Sequence, residues 1–427
     1  MLDLFQNFIR IPSPSGNERA FADVLIARLL AMGLTVTEDD AGSRFGGNTG
    51  NILAVLPPSE RKSGCAALSF QGGASVSQNM RGGDGVASSH EEIASSENMT
   101  GGAAACHIPD SVMFTAHMDR VPGGDRISIR LQPDGRLTSD GQSILAADDV
   151  AGVCAILKGV EKVILSGRPH GRVELLFTVS EEYELLGSRN LDTSKIQSKT
   201  AYCMDSSGRI GRVIIAAPAI DHINITVRGR KSHAGAEPEK GINAIKLAAE
   251  FLAGVRDGRL DPESTANYGI IRGGNATNII CDTVEITGEA RSRDEKKLKE
   301  YESYAEQFLR DTLSGTGAAY DFTVVENHGA FAVEKDSAAV KRITDALERI
   351  GVSPLVEAGG GGMDANILNE KGIITVGVAT GYRKNHTFEE ELFLEDMEKA
   401  AELVEAVILP DNRADTGSHS VTVEEEP

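Results

Sequence analysis

The sequence is short of basic residues, of thiols and of long apolar runs, and each shortage excludes a class of protein. Lysine and arginine number 43 against 63 aspartates and glutamates, a formal charge of −20 at pH 7. Such a balance disfavours nonspecific binding to nucleic acid or anionic lipid, so neither is expected as a partner. No apolar run approaches the roughly 18 residues that a membrane span requires. The opening stretch MLDLFQNFIRIPSPSG has no basic n-region and no long apolar core, so no signal peptide is read and a cytoplasmic location is expected. The five cysteines, Cys65, Cys106, Cys154, Cys203 and Cys281, are odd in number and no pair has CxxC spacing. That argues against a disulfide framework and against a zinc finger. Cys154 and Cys203 lie in apolar runs and read as small core residues.

What is present suits a globular enzyme. The 427 residues, 41% of them hydrophobic, predict two or three domains with real cores. Short apolar runs at 51–56, 112–116, 173–179 and 201–204 read as buried strands. Between them, 150–165 places Val153, Cys154, Leu157, Val160 and Ile164 on one helical face. This alternation predicts an α/β domain with a largely parallel sheet. From about 219 the rhythm changes to strand 221–228, helix 242–255, strand 268–272, strand 282–291, helix 295–313 and strand 320–326. That β-α-β-β-α-β order predicts a ferredoxin-like unit. The α/β pattern resumes with a helix at 337–350 and a strand at 373–378.

The expected architecture is therefore one α/β domain, at 1–217 and 328–410, interrupted by a smaller domain at 218–327. Residues 58–110 are rich in Gly, Ser and Ala and poor in large apolar residues, so a mostly disordered surface excursion is expected there. An acidic tail at 411–427 is expected to be loose.

Polar residues able to bind metal recur where strands end. His117 and Asp119 follow SVMFTA, and Asp148 and Asp149 open a helix in ILAADDVAG. Glu181 and Glu182 follow VELLFTVS, Asp205 follows AYCM, and His386 follows a glycine-containing bend. Open α/β sheets gather ligands at the carboxyl ends of their strands, so these groups can converge. Taken singly, each has a plainer reading as a helix cap or a solvated side chain. Jointly, a set of imidazoles and carboxylates without thiolate suits a catalytic Zn, Mn or Co site rather than a closed structural zinc. A carboxylate shared by two ions, with a further carboxylate free to carry a proton, would suit hydrolysis, and SEE offers adjacent candidates.

In order and spacing HMD, AADD, SEE, Asp205 and the late NHTFEEE resemble the M20 metallopeptidases. The likeness spans nearly the whole chain apart from 58–110 and the tail. KSHAGAEPEKGINAI and GGGGMDAN make it similar to the peptidase T subgroup. The resemblance implies a zinc-peptidase-like catalytic domain carrying a lid and dimerisation domain, and two divalent ions, zinc or else cobalt or manganese. It implies His117 and Asp205 on one ion, Glu182 and His386 on the other, and Asp148 bridging them through a carboxylate followed by a cis peptide bond. Glu181 would be the general base, and Asp119 would orient His117. His233, exposed in a polar loop on its own reading, would stabilise the oxyanion from the lid, often that of a partner subunit in a homodimer. Asn278 and Arg291 would contact the substrate, the arginine through its carboxylate, with Arg293 two residues further on as the other candidate.

The chain departs from the pattern at Val150, where many relatives have Lys, and at Ala146, where Gly is common. It also has Ala358 and glycines where peptidase T has an arginine, so a strict tripeptide preference does not carry over. The activity implied is removal of the N-terminal residue from tripeptides or other short peptides. Deacylation of N-acyl amino acids on the same centre, and a non-catalytic metal- or peptide-binding module, are the competing readings. The run Gly359–Gly362 lacks a following GK[ST], which argues against a phosphate loop.

Overall fold

A computed structural model describes residues 1–59, 110–123 and 126–409. The excursion expected at 58–110, save for residues 58, 59 and 110, and the tail at 411–427 lie outside the described residues. The centre of the main sheet is four parallel strands in the order β6 (Val173–Thr178), β3 (Val112–His117), β7 (Thr200–Ser206) and β16 (Ile374–Ala379). Alternate side chains of β3 go to opposite faces. Val112, Phe114 and Ala116 join the larger core, whereas Met113 packs with Leu176 and Leu368 on the other side. Burial on both faces is why these strands read as unbroken apolar runs.

Antiparallel strands extend both margins. β2 (Ile52–Leu56) pairs with β6 and carries β1 (Thr35–Glu38) outside it. On the far side β8 (Arg212–Ala217) runs antiparallel to β16, with β14 (Phe331–Ala332) and the parallel β15 (Leu355–Ala358) attached to it. Helices α1 (Leu2–Ile9), α2 (Arg19–Ala31), α3 (Ala147–Ser166), α7 (Ala338–Arg349) and α9 (Leu394–Ile408) all contribute to the larger core. The short helices α4 (Leu186–Arg189) and α8 (Asp364–Glu370) lie against each other, and α8 packs its Leu368 on the opposite face of the sheet. A small sheet of β17 (Tyr382–Arg383), β18 (Glu391–Phe393), β5 (Arg136–Thr138) and β4 (Arg130–Leu131) closes over the start of α3.

The second sheet has the order β10-β11-β12-β9-β13, every pair antiparallel. Its strands are β9 (Ala219–Arg228), β10 (Gly258–Asp261), β11 (Ser264–Gly273), β12 (Thr283–Ser292) and β13 (Ala319–His328). Without β10, which the sequence reading did not contain, this is the ferredoxin-like arrangement. Helices α5 (Ala244–Gly254) and α6 (Glu295–Leu313) cover one face, with Phe251, Leu298 and Leu309 in a separate core. Asn243 and Asp294 cap these helices by accepting hydrogen bonds from backbone N–H groups of the first turn.

The chain enters this second sheet at Pro218 and leaves it at Gly329. The buried Asn366 amide nitrogen of α8 donates to both carbonyls, at 3.1 Å to Pro218 and 2.8 Å to Gly329. Its oxygen accepts from Met363 N, tying the same side chain to the glycine-rich loop. Cys154 and Cys203 are buried core residues. No helix among the described residues is long and apolar enough to cross a membrane.

Helices α3 and α9 approach closely at Gly159, where an added Cβ would stand 2.5 Å from Val404 Cβ and 2.7 Å from the Ala401 carbonyl. Gly159→Ala should therefore destabilise by about 1–3 kcal/mol through overpacking, despite alanine's better helix propensity. Chemical denaturation measures this, and an unchanged or raised midpoint would contradict the close approach.

Candidate metal centre and active site

The carboxyl ends of the parallel strands supply most of the centre. His117 is the last residue of β3, Asp205 the last but one of β7, and Glu181 and Glu182 follow β6 after Ser180, whose φ is +48°. Asp148 comes from the start of α3, where the backbone is non-helical and the Asp148–Asp149 peptide is cis, as the resemblance implied. His386, with φ of +63°, sits in the loop between β17 and β18.

His117 is buried, and its Nδ1 lies 2.9 Å from the Asp119 carbonyl oxygen. A carbonyl only accepts, so Nδ1 carries the proton and Nε2 is the atom turned to the centre. Nε2 stands 3.1 Å from Asp148 Oδ1 and 3.8 Å from Asp205 Oδ1. The second oxygen of Asp148 faces the other imidazole, 3.3 Å from His386 Nε2, which is itself 2.9 Å from Glu182 Oε1. One carboxylate thus presents one oxygen to each of two histidines. The sequence reading gave Asp119 the task of orienting His117. Its carbonyl makes the 2.9 Å contact, while its carboxylate accepts from Glu181 N at 2.9 Å, Glu182 N at 3.2 Å and Ser15 Oγ at 2.6 Å. Asp119 therefore holds both the imidazole and the SEE turn.

The electrostatics are those of a site short of positive charge. Burial and the neighbouring Asp148 push the Asp205 carboxyl up to about 8, although Tyr382 donates to it at 2.7 Å. Burial, then Asp205, raises Glu181 well above the usual carboxylate range. Hydrogen bonds with Asp148 and Glu182 lift His386 to about 10, and Asp119 and Asp148 raise His117 against the opposing effect of burial. Asp148 alone is held well below its ordinary value, because the two imidazoles outweigh its burial. Such a set needs protons or cations. Three groups, His117–Asp148–Asp205, His117–Glu181–Glu182 and Asp148–Glu182–His386, each bring ligand atoms within 4.8 Å of one another. Their all-N/O donors fit divalent zinc, cobalt or manganese, and a divalent ion would keep the carboxylates ionised.

Three supporting residues escaped the sequence reading. Glu390 is buried and accepts from Leu145 N at 2.9 Å, Ala146 N at 2.8 Å and Asp148 N at 3.0 Å. Burial and Asp148 bring its carboxyl up to about 7. Asn385 donates to Asp148 Oδ2 at 2.7 Å, and Tyr382 to Asp205 as described. Glu390 and Asn385 stand within the NHTFEEE run, but only the folded small sheet shows which of its acids turns inward.

The substrate candidates lie elsewhere. His233 is exposed, its Nδ1 accepting from Gly235 N and Ala236 N at 3.1 Å each, and it is bridged to Ile279 beside Asn278. Arg291, on β12, is bound to Glu289 at 2.8 Å. Arg293 falls just past the strand and turns to the Pro262 carbonyl, so it does not share the strand face with Arg291. None of these residues lines the cavity of about 210 Å³ over the ligand cluster, which Asp148, Glu181, Glu182, Asp205 and His386 do line. Its far wall includes Gly359–Gly362. Gly359 has Ile214 3.0 Å from where a Cβ would stand, and Gly362 has His328 Nε2 at 2.3 Å. Gly360 and Gly361, between them, face open space.

An α/β scaffold with imidazoles and carboxylates gathered at its strand ends is that of a hydrolase of the M20 peptidase class. Residues 217–316 match the peptidase dimerisation domain of M20 proteins. The chain is 30% identical to the uncharacterised protein YqjE of Bacillus subtilis over 408 residues, 96% of this chain and 97% of that protein. The crystal structure of aminopeptidase PepT from Bacillus cereus superposes with a TM-score of 0.77 at 32% identity, covering 95% of this chain and 96% of that one. A tripeptidase structure from Staphylococcus aureus gives 0.81 at 27%, with coverage of 95% and 96%. The chain belongs to the M20 peptidase family, on its peptidase T-like branch.

Because Glu390 holds three N–H groups of the loop that presents Asp148, Glu390→Ala should weaken divalent metal binding by roughly 10–100-fold without removing a ligand. Competition against a chromophoric chelator measures it, and wild-type affinity would show that the loop holds itself.

Proposed function

We propose that this protein is a two-metal aminopeptidase that removes the N-terminal residue from tripeptides or other short peptides, in the cytoplasm and as a homodimer. The observation that carries the reading is Asp148, with one oxygen toward His117 and the other toward His386, beside the buried carboxyl of Glu181. His117 and Asp205 would hold one ion, Glu182 and His386 the other, and Asp148 both. The ion pair, when bound, supplies Lewis acidity toward the scissile carbonyl and lowers the pKa of water.

The rest falls to the chain. Glu181 takes the proton of the attacking water on its carboxylate and passes it to the leaving amine. Asp119 keeps His117 and the Glu181–Glu182 turn in place through the contacts described above. The 218–327 unit acts as lid and dimerisation domain. From it His233 stabilises the oxyanion while Asn278 and Arg291 grip the substrate, the arginine by its carboxylate. That none of the three lines the cavity of its own chain supports their delivery by a second subunit.

The direct test is a panel of dipeptides, tripeptides and N-acetyl amino acids offered to enzyme loaded with zinc, cobalt or manganese. Free-amine short peptides should be cleaved and acetylated ones spared, and chelation should abolish turnover. Cleavage of the N-acetyl compounds alone would replace the proposal with an amidohydrolase, and cleavage of neither class would favour a binding module. A second prediction separates the adjacent glutamates. Glu181→Gln should keep both ions and lose roughly 10²–10⁴-fold in kcat, whereas Glu182→Gln should lose metal. Near-wild-type turnover by metal-replete Glu181→Gln would remove the assigned base.

A further inference from the structure

We infer that the cavity beside the metal ligands is a side-chain subsite for an acidic N-terminal residue, with Arg212 as its specificity-determining group. The inference rests on the aminopeptidase reading, because it concerns which peptide that activity prefers.

Arg212 and Ile214 are two residues apart on β8, so they share one face of the strand, and both line the cavity. Met363 and the glycines add apolar and backbone surface beside Ile214. A space of about 210 Å³ lies below the roughly 300–1,000 Å³ usual for drug-sized ligands, so it suits one residue rather than a peptide. If Asn278 and Arg291 hold the carboxylate end of the substrate, the residue before the scissile bond is the one left to occupy this cavity.

The chemistry of the walls selects among residues. Apolar contact from Ile214 and Met363 suits a short aliphatic stem, and the cationic Arg212 suits a carboxylate at its tip. Among the described lining residues, Arg212 carries the one positive charge that metal ligation would leave available, since His386 belongs to the ligand set. The guanidinium is also fixed in place. Its Nε donates to Glu357 Oε1 at 2.5 Å, and Nη1 donates to the Ser207 carbonyl at 2.7 Å and to Ser206 Oγ at 3.3 Å. A substrate carboxylate would take Nη2, with the hydroxyls of Ser206 and Ser207 beside it. Arg212 is about one quarter exposed and Glu357 two fifths, and Glu357 is not among the lining residues. Glu357 therefore holds the guanidinium from outside the cavity and tempers its charge. A lysine side chain in the same place would meet Arg212 with like charge.

The experiment compares Glu-Gly-Gly, Asp-Gly-Gly, Gln-Gly-Gly, Leu-Gly-Gly and Lys-Gly-Gly on metal-loaded enzyme, reading the Glu/Gln ratio of kcat/KM. Wild type should prefer Glu over Gln by roughly ten-fold or more, the scale of a charge-assisted hydrogen bond, with Lys poorest. Arg212→Gln should bring the ratio near one at unchanged metal content, and Arg212→Lys should keep part of the preference. Glu357→Gln, which leaves the guanidinium in place but removes its countercharge, should raise the ratio. A wild-type ratio near one, or a preference that survives in folded Arg212→Gln, overturns the subsite. Should Arg212→Gln fail to fold, a Glu/Gln ratio that does not rise in Glu357→Gln overturns it equally. Cleavage of all these peptides without regard to charge sinks this inference alone. Cleavage of none of them, with N-acetyl amino acids accepted, sinks the aminopeptidase reading and this inference together.

Discussion

A carboxylate split between two imidazoles governs the organisation of this molecule. Asp148 can offer one oxygen to His117 and the other to His386 only if its backbone is held against the end of β3 and beneath the loop that carries His386. The fold achieves this with groups outside the ligand set. Glu390 gathers three N–H groups ahead of and at Asp148, and Asn385 donates to the carboxylate itself. The concentration of acid at this point opposes folding unless something positive arrives. Divalent ions would remove that penalty, and ligand binding of this kind stabilises the folded state by mass action.

The two sheets divide the labour. The parallel centre of the first is buried on both faces and gives a rigid rim on which strand ends can be aligned, the usual place for ligands in such sheets. The second sheet has its own core, and beside the two connections Asn327 of β13 accepts from Arg189 of α4 and His222 of β9 faces Glu184 at 3.6 Å. A hydrolase that must admit a peptide and then exclude water benefits from that division.

Much of this was legible in the sequence. Fully buried parallel strands appear as unbroken apolar runs, and their ends are marked by the first polar residue, so His117, Glu181, Glu182 and Asp205 could be located by inspection. Asp148, opening a helix, and His386, after a bend, stood out by residue type as well, whereas the division of all these groups between two ions needed the family resemblance. The ferredoxin-like unit was readable because its strands alternate and its elements follow in β-α-β-β-α-β order. The losses have physical causes. β15 is four residues against a glycine run and too short to show a period, and the two- and three-residue strands of the small sheet have none. Glu390 was hidden among three consecutive glutamates, where only tertiary packing decides which one meets the loop of Asp148. Arg212 carried no motif at all and became noticeable only when β8 was seen to form a cavity wall.

The double hydrogen bond from Asn366 has a bearing on how such a chain could be assembled in evolution. Because Pro218 and Gly329 answer to the same amide nitrogen, the points at which the chain departs from the first sheet and returns to it are side by side. More than a hundred residues are threaded through a gap that a tight turn could bridge. The host sheet need not have been redesigned to accept its guest, and guests of other sizes and shapes could be exchanged at the same doorway without disturbing the strand ends that hold the ligands.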